Sequence, residues 1–158
     1  MGLVIFLAIV AAIIVLIVMR KKRKKAEDLE ELKNSKAYAL AIKIADELKK
    51  QKGGNLGEVE WKYDSYTLGP QAFGCIDYNN YNIPDSSSSC RIYFSMYLRG
   101  VLTMQRNAIL SNRFYGIENE NIGILVYSYE KSQDMPDCIK IAAKVIEDSG
   151  FGQCKKIQ

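Results

Sequence analysis

The first nineteen residues of the chain contain no charged side chain, and every residue from Leu3 to Met19 is apolar. As a helix this segment extends roughly 26 Å, close to the hydrocarbon thickness of a bilayer, about 30 Å. A core helix of this length usually has a polar face, and this segment has none. The pattern therefore predicts a transmembrane anchor over residues 1–19.

Six consecutive cations follow the apolar segment directly: Arg20, Lys21, Lys22, Arg23, Lys24 and Lys25. Cations beside a membrane helix stay in the cytoplasm, so the N-terminus is expected outside and the C-terminal domain inside. A cleavable signal peptide has its positive charge before the apolar run and a small-residue cleavage site after it. We expect instead an uncleaved signal anchor, whose juxtamembrane cluster at 20–25 sets topology and attracts anionic lipid headgroups.

The net positive charge of the chain comes from this cluster. The chain has 22 Lys plus Arg and 18 Asp plus Glu, a net charge of +4. Six of the cations lie at 20–25, where no acid is present, so residues 26–158 carry 16 against 18, a net charge of −2. A nucleic-acid-binding domain is basic where it folds. We therefore expect no nucleic-acid partner.

Residues 26–52 have the spacing of an amphipathic helix. Leu40, Ile44 and Leu48 recur every four residues and form one apolar stripe. The pair Asn34 and Ser35 interrupts good helix formers and predicts either a hinge or a new N-cap. Gly53 and Gly54 are expected to end the helix.

A small domain is predicted over 53–158, and its sequence pattern indicates strands followed by a helix. Alternating residues predict strands at 58–67, 91–99 and 121–130, the last central because both of its faces are apolar. The segment 70–90 is rich in Pro, Gly, Asn and Ser, so a loop is expected there, broken by a short strand near 73–78.

A second helix is predicted at 135–149 and a short strand at 154–158, whereas 101–114 fits neither period. The order of elements predicts an α+β fold with an N-terminal transmembrane helix and an amphipathic helix. An antiparallel sheet of about three to five strands follows, with the C-terminal helix packed on it.

The four cysteines allow two interpretations. Thiols are kept reduced in the cytoplasm, which argues against a disulfide framework among Cys75, Cys90, Cys138 and Cys154. If the orientation were reversed, Cys75 and Cys90 would be a loop-closing pair. A zinc site is not expected, because such sites usually contain closely spaced cysteine pairs.

The sequence carries little catalytic chemistry. It has no histidine, which removes histidine-based acid–base catalysis, Ser-His triads and histidine metal sites. Phosphate-binding glycine motifs are also absent. A cysteine nucleophile at Cys75 or Cys90 would need a base and a lowered pKa, so an ordinary thiol is the favoured interpretation. We expect no cofactor, and the sequence favours a binding protein over an enzyme.

Ten tyrosines are many for a chain of 158 residues. The strand at 91–99 places Arg91, Tyr93, Tyr97 and Arg99 on one face, opposite Ile92, Phe94, Met96 and Leu98. Tyr and Arg are enriched at binding hot spots. This face is therefore a candidate surface for a protein partner, or for a second copy of the chain.

The leading hypothesis is a single-pass membrane protein whose cytoplasmic domain is a non-enzymatic interaction or assembly module. An alternative is an extracytoplasmic structural subunit, because an apolar N-terminal helix, an amphipathic helix and a strand-rich domain with cysteines resemble the type IV pilin layout. Pilins have a charged leader before the apolar run and a glutamate near its start, whereas Val4 to Ala8 contains no acid. A membrane-tethered enzyme with an unrecognised site is the third alternative.

Overall fold

The computed structural model describes residues 2–64, 71–79, 90–96, 114–117, 123–128, 137–150 and 154–156. Within these residues the chain forms three helices and one antiparallel sheet. The expectations for 80–89 and for 101–113, and the residues Tyr97 and Arg99, lie outside the described residues.

The first helix, α1 (Gly2–Lys33), has 32 residues and continues without a break from the apolar segment through the basic cluster. It is long and apolar enough to cross a membrane. The side chains of its apolar segment are not buried in the protein, so this segment is not a core helix. Among the described residues, the large exposed apolar side chains all lie between Leu3 and Met19.

The expected interruption at Asn34 and Ser35 is where α1 ends and α2 (Lys36–Lys52) begins. Ser35 is the N-cap of α2, and its hydroxyl accepts a hydrogen bond from the backbone N–H of Tyr38 at 3.2 Å. Gly53 ends α2 with a φ of 67°, and its N–H donates to the carbonyl of Lys49. That left-handed conformation favours glycine, as the sequence predicted.

The sheet contains five strands of four or more residues and two shorter ones in the described part of the chain. In chain order they are β1 (Asn55–Leu56), β2 (Glu60–Asp64), β3 (Gln71–Asn79), β4 (Cys90–Ser95), β5 (Phe114–Ile117), β6 (Gly123–Ser128) and, after α3 (Asp137–Asp148), β7 (Cys154–Lys156). All the pairings are antiparallel. The predicted α+β fold with an antiparallel sheet is confirmed.

The order across the sheet differs from the order along the chain. Both β1 and β2 pair with one edge of β3, and the sheet continues as β3–β4–β6–β5–β7. The central position predicted for 121–130 is confirmed, because β6 pairs with β4 on one side and β5 on the other. The short strand predicted near 73–78 within the 70–90 loop is present but longer than expected. It is β3, the longest described strand, and it pairs with β1, β2 and β4.

The helices α2 and α3 pack on one face of the sheet, here called the helix-side face. The predicted stripe of Leu40, Ile44 and Leu48 is fully buried there, as is Ile139 of α3. The sheet contributes Ile76, Tyr78, Cys90, Ile92, Phe94, Ile124 and Val126 to the same core. Alternation along β4 predicted the core positions Ile92 and Phe94 correctly.

Candidate functional site: the membrane-proximal junction and the second face

The end of α1 is docked onto the domain. Leu32 is fully buried in the core, and Leu29, one turn earlier, is partly buried against it. Leu29 lies only ten residues beyond Met19, which is roughly 15 Å of helix. The same rigid helix therefore carries both the apolar segment and the docking contact, and the domain lies close to the level at which the apolar segment ends.

Tyr63 of β2 joins the sheet to α1. Its hydroxyl donates a hydrogen bond to Oδ2 of Asp28 at 3.2 Å, and the ammonium of Lys25 lies 5.3 Å from its ring centroid. Burial and the Asp28 carboxylate raise the pKa of Tyr63, so its hydroxyl remains a donor at neutral pH. One cation of the predicted basic cluster thus contacts the domain directly.

A group of aromatic rings extends this junction into the core. Trp61 lies 5.0 Å from Tyr38 and 5.6 Å from Phe94 between ring centroids, and the Phe94 contact is edge-on. The ammonium of Lys33 lies 5.6 Å from Trp61. Because Trp61 approaches Lys33 while Tyr63 approaches Lys25, β2 runs along α1 towards the apolar segment.

The opposite face of the sheet, here called the second face, carries Arg91 and Tyr93, the two described residues of the surface predicted to meet a partner. Strand register places Cys75 between Glu60 and Tyr93, and Asp77 beside Arg91. The face is not uniformly open, because Cys75, Ser95 and Leu125 are buried and Phe73 is nearly so. Arg91 and Tyr93 are partly exposed, and α3 packs on the other side of the sheet.

Arg91 is held by an intramolecular ion pair. Two of its three guanidinium nitrogens donate to the Asp77 carboxylate: Nε to Oδ1, and Nη2 to Oδ2 at 2.5 Å. The guanidinium also lies 5.8 Å from the Tyr93 ring centroid. The Asp77 hydrogen bonds raise the pKa of Arg91. The charge of Arg91 is therefore engaged within the sheet, and the exposed binding chemistry here belongs to the tyrosine ring.

Glu60 and Lys62 form a second ion pair on this face, 2.7 Å apart. Lys62 holds the pKa of Glu60 below its usual range, and Glu60 raises the pKa of Lys62. The alternation of β2 places both charges on one side, yet neither was singled out from the sequence. On the neighbouring strand β3, Glu60 pairs with Cys75 and Lys62 pairs with Phe73.

The thiols of Cys75, Cys90 and Cys138 are buried, and Cys75 and Cys90 lie in strands rather than in a polar loop as expected. Burial raises the pKa of the Cys75 thiol, which lies 3.7 Å from Oε2 of Glu60. A thiol that stays protonated is a poor nucleophile. Cys75 and Cys90 also point to opposite faces of the sheet, since Cys75 pairs with Tyr93 and Cys90 with Tyr78, so they cannot form the loop-closing disulfide.

Two further features complete the described surface. No group of three or more His, Cys, Asp or Glu side chains suited to a metal ion occurs among the described residues. A groove of about 470 Å³ runs between α2 and α3, and charges of both signs line it, including Lys43, Glu47, Lys144 and Asp148. Mixed charge and an open shape give the groove no preference for one class of ligand.

The six predicted cations are exposed on α1. Arg23 is the member of the cluster that has a carboxylate within ion-pair distance in the described structure, with Nε 2.8 Å from Oε1 of Glu27. No protein-family model, curated protein or solved structure matches the chain.

Proposed function

We propose that the chain is a single-pass membrane protein that holds a non-enzymatic interaction or assembly domain at the cytoplasmic face. The observation that carries the proposal is the unbroken helix α1, which joins an exposed apolar segment to a docking contact at Leu32. Because the helix is continuous, the domain is a fixed extension of the anchor. The cluster of six cations favours a cytoplasmic domain.

The interaction class is favoured over the membrane-tethered enzyme because the chemistry of the described residues is structural. The Cys75 thiol is buried, and the charges of Arg91 and Asp77 neutralise each other. The disulfide-stabilised alternative needs a bond between Cys75 and Cys90, and these side chains point to opposite faces of the sheet. These observations support a domain that binds through its surface.

Topology is tested with a single engineered thiol. Lys50 lies on α2 with its side chain largely exposed, and the described native cysteines are buried. Lys50→Cys in a Cys154→Ser background should therefore resist a membrane-impermeant maleimide on intact cells and react after permeabilisation. The matched control, Gly2→Cys in the same background, should react on intact cells because the N-terminus lies outside.

Labelling of Lys50→Cys on intact cells would place the domain outside and overturn the topology. Replacing all six cations of the cluster by Gln should give mixed labelling of both positions. An unchanged pattern would show that another signal sets the orientation.

The second face is the proposed contact for a partner protein or a second copy, through Tyr93 and, outside the described residues, Tyr97. Arg91 and Arg99 flank them in the sequence. Tyr93→Ala with Tyr97→Ala should leave the folded domain intact but reduce both self-association in detergent and partner recovery by affinity purification. The matched control, Tyr93→Phe with Tyr97→Phe, keeps the rings and should retain most binding. Equal association of both variants and the wild type would leave this face without a binding role.

A further inference from the structure

The cations of the basic cluster are not equivalent, because the docked domain lies on one side of α1. The described contacts with the domain come from Lys25, Asp28, Leu29, Leu32 and Lys33. Residues three or four apart share a face of an α-helix, so Lys21 and Lys22 both lie towards the domain, one turn closer to the apolar segment than Lys25. Of these two, Lys21 has the four-residue spacing to Lys25. Arg20 and Lys24 form the same spacing, turned by roughly 100° around the helix away from the domain.

The depth of Lys21 and Lys25 matches a lipid headgroup. Lys21 lies roughly 3 Å beyond Met19 along the helix axis and Lys25 roughly 9 Å. The polar layer on each side of a bilayer is about 5 to 8 Å thick, so the backbone of Lys21 lies within it and that of Lys25 at its outer edge. In the described structure neither lysine has a carboxylate within ion-pair distance, whereas Arg23 on the far side is paired with Glu27.

The domain closes this position from one side. Tyr63, at the end of β2 that approaches the apolar segment, lies over Lys25 and is fixed by its hydrogen bond to Asp28. The orientation of Lys25 is therefore set by the folded domain, whereas Arg20 and Lys24 are exposed in the part of the chain that the structure describes. Two cations on one face, beside a neutral phenol, favour a singly anionic phosphodiester.

We propose that Lys21 and Lys25 bind the headgroup phosphate of an anionic phospholipid between the bilayer and the end of β2. This inference rests on the proposed membrane anchor and adds a defined lipid to it. Lipid bound there would link the orientation of the domain to the charge of the leaflet. The general attraction of the cluster for anionic lipid would be shared by all six cations, but this site would belong to two of them.

Trp61 provides the readout, because it is the single tryptophan of the chain and lies on the domain side of α1. The full chain is placed in phosphatidylcholine bilayers with a trace of dansyl-labelled anionic phospholipid, and energy transfer from Trp61 to dansyl is measured. Unlabelled phosphatidylglycerol is then titrated in to displace the labelled lipid. The wild type should show enhanced transfer that phosphatidylglycerol reverses and that added phosphatidylcholine leaves unchanged.

The decisive comparison is between two variants of equal charge and depth. Lys21→Gln with Lys25→Gln should lower the preference for the labelled lipid at least about fivefold relative to Arg20→Gln with Lys24→Gln. Equal loss in both variants would show that the cluster attracts lipid without a site and would overturn the proposal. A third variant, Tyr63→Leu, should weaken the preference without removing any charge.

Two further arms separate the causes of failure. Inorganic phosphate at matched ionic strength should not displace the labelled lipid; displacement would identify a site for soluble phosphate instead. Flotation with phosphatidylcholine vesicles reports the anchor independently. If the chain floats with neutral vesicles but shows no lipid preference, the proposed membrane anchor stands and the lipid site is contradicted. If the chain does not float, both proposals are contradicted.

Discussion

Gly74 of β3 lies directly opposite Phe94 of β4, and a Cβ atom at Gly74 would come within 2.3 Å of Cζ of the Phe94 ring. The phenylalanine ring thus covers the glycine and occupies the space of a side chain. This contact lets Phe94 reach Trp61 and Tyr38 in the core. The glycine is required here by close packing rather than by backbone conformation.

We predict that Gly74→Ala lowers the free energy of unfolding by about 1 to 3 kcal/mol, because the added methyl displaces a buried ring. Urea unfolding followed by Trp61 fluorescence measures the change. Gly57→Ala is the control, since a Cβ at Gly57 meets its nearest atom at 3.4 Å. Equal stability of the Gly74 variant and the wild type would mean that Phe94 has another rotamer available.

The apolar stripe of α2 should account for a large part of the stability of the domain. Ile44 and Leu48 are fully buried against the sheet, so Ile44→Ala or Leu48→Ala should cost about 2 to 5 kcal/mol. The exposed neighbour Lys43 provides the control, and Lys43→Ala should change little. If both core variants unfold at the temperature of the wild type, the helix is not a required part of the domain.

Docking of α1 predicts that the anchor contributes to the stability of the domain. Leu32→Ala should cost about 2 to 5 kcal/mol, and Leu29→Ala, at a partly buried position, should cost less. Thermal unfolding of the full chain in bilayer nanodiscs measures both. An exposed position on the same turn, Glu31→Ala, is the control. Silent substitution of Leu32 would show that the helix is a free stalk.

The ion pair of Asp77 and Arg91 is expected to be a structural element of the second face. Its side chains are 31% and 27% exposed, so we expect a coupling free energy of about 1 kcal/mol in a double-mutant cycle with alanine. Arg91→Lys should lose most of it, because an ammonium cannot reproduce the two-point contact. The pair of Arg23 and Glu27, at 83% and 61% exposure, should couple by about 0.5 kcal/mol or less. Equal coupling in the two pairs would contradict this assignment.

The raised pKa of the buried Cys75 thiol should make the stability of the domain depend on pH. Burial raises the pKa of this thiol in the folded state, so above an unfolded value of about 8.5 the unfolded chain loses its proton first. The stabilisation is therefore complete at neutral pH and declines as the pH rises past that value. The difference in unfolding free energy between the wild type and Cys75→Ala should shrink in alkaline urea titrations. A constant difference would indicate that the folded thiol ionises normally.

Local sequence pattern was sufficient for the elements whose environment repeats along the chain. The stripe of α2, the alternation of β4 and the doubly apolar β6 all follow from one-dimensional periodicity, because burial on a helix or strand face recurs at a fixed spacing. The cap at Ser35 and the glycine at Gly53 were predictable for the same local reason. The apolar segment followed by six cations is likewise a property of adjacent residues.

The strand β3 was predicted shorter than it is, because its stabilisation is not local. Gln71–Asn79 contains glycine, aspartate and asparagine, which are poor strand formers, and it forms a long strand because β1, β2 and β4 pair with it on both edges. Pairing satisfies its backbone groups, and Phe94 fills the space above Gly74. Tertiary contacts of this kind override intrinsic propensity.

Some residues of the candidate sites could be identified from the sequence, and others only from the tertiary structure. Adjacent residues in the chain identified the cluster Arg20 to Lys25 and the alternation that places Arg91 and Tyr93 on one face. Strand register brought Asp77 to Arg91 and Cys75 beside Glu60, and packing of α1 against the sheet placed Lys25 over Tyr63. A sequence records which residues follow one another, whereas these partners are separated by 14 to 38 residues and meet only because pairing and packing of the whole sheet lower the free energy of that one register.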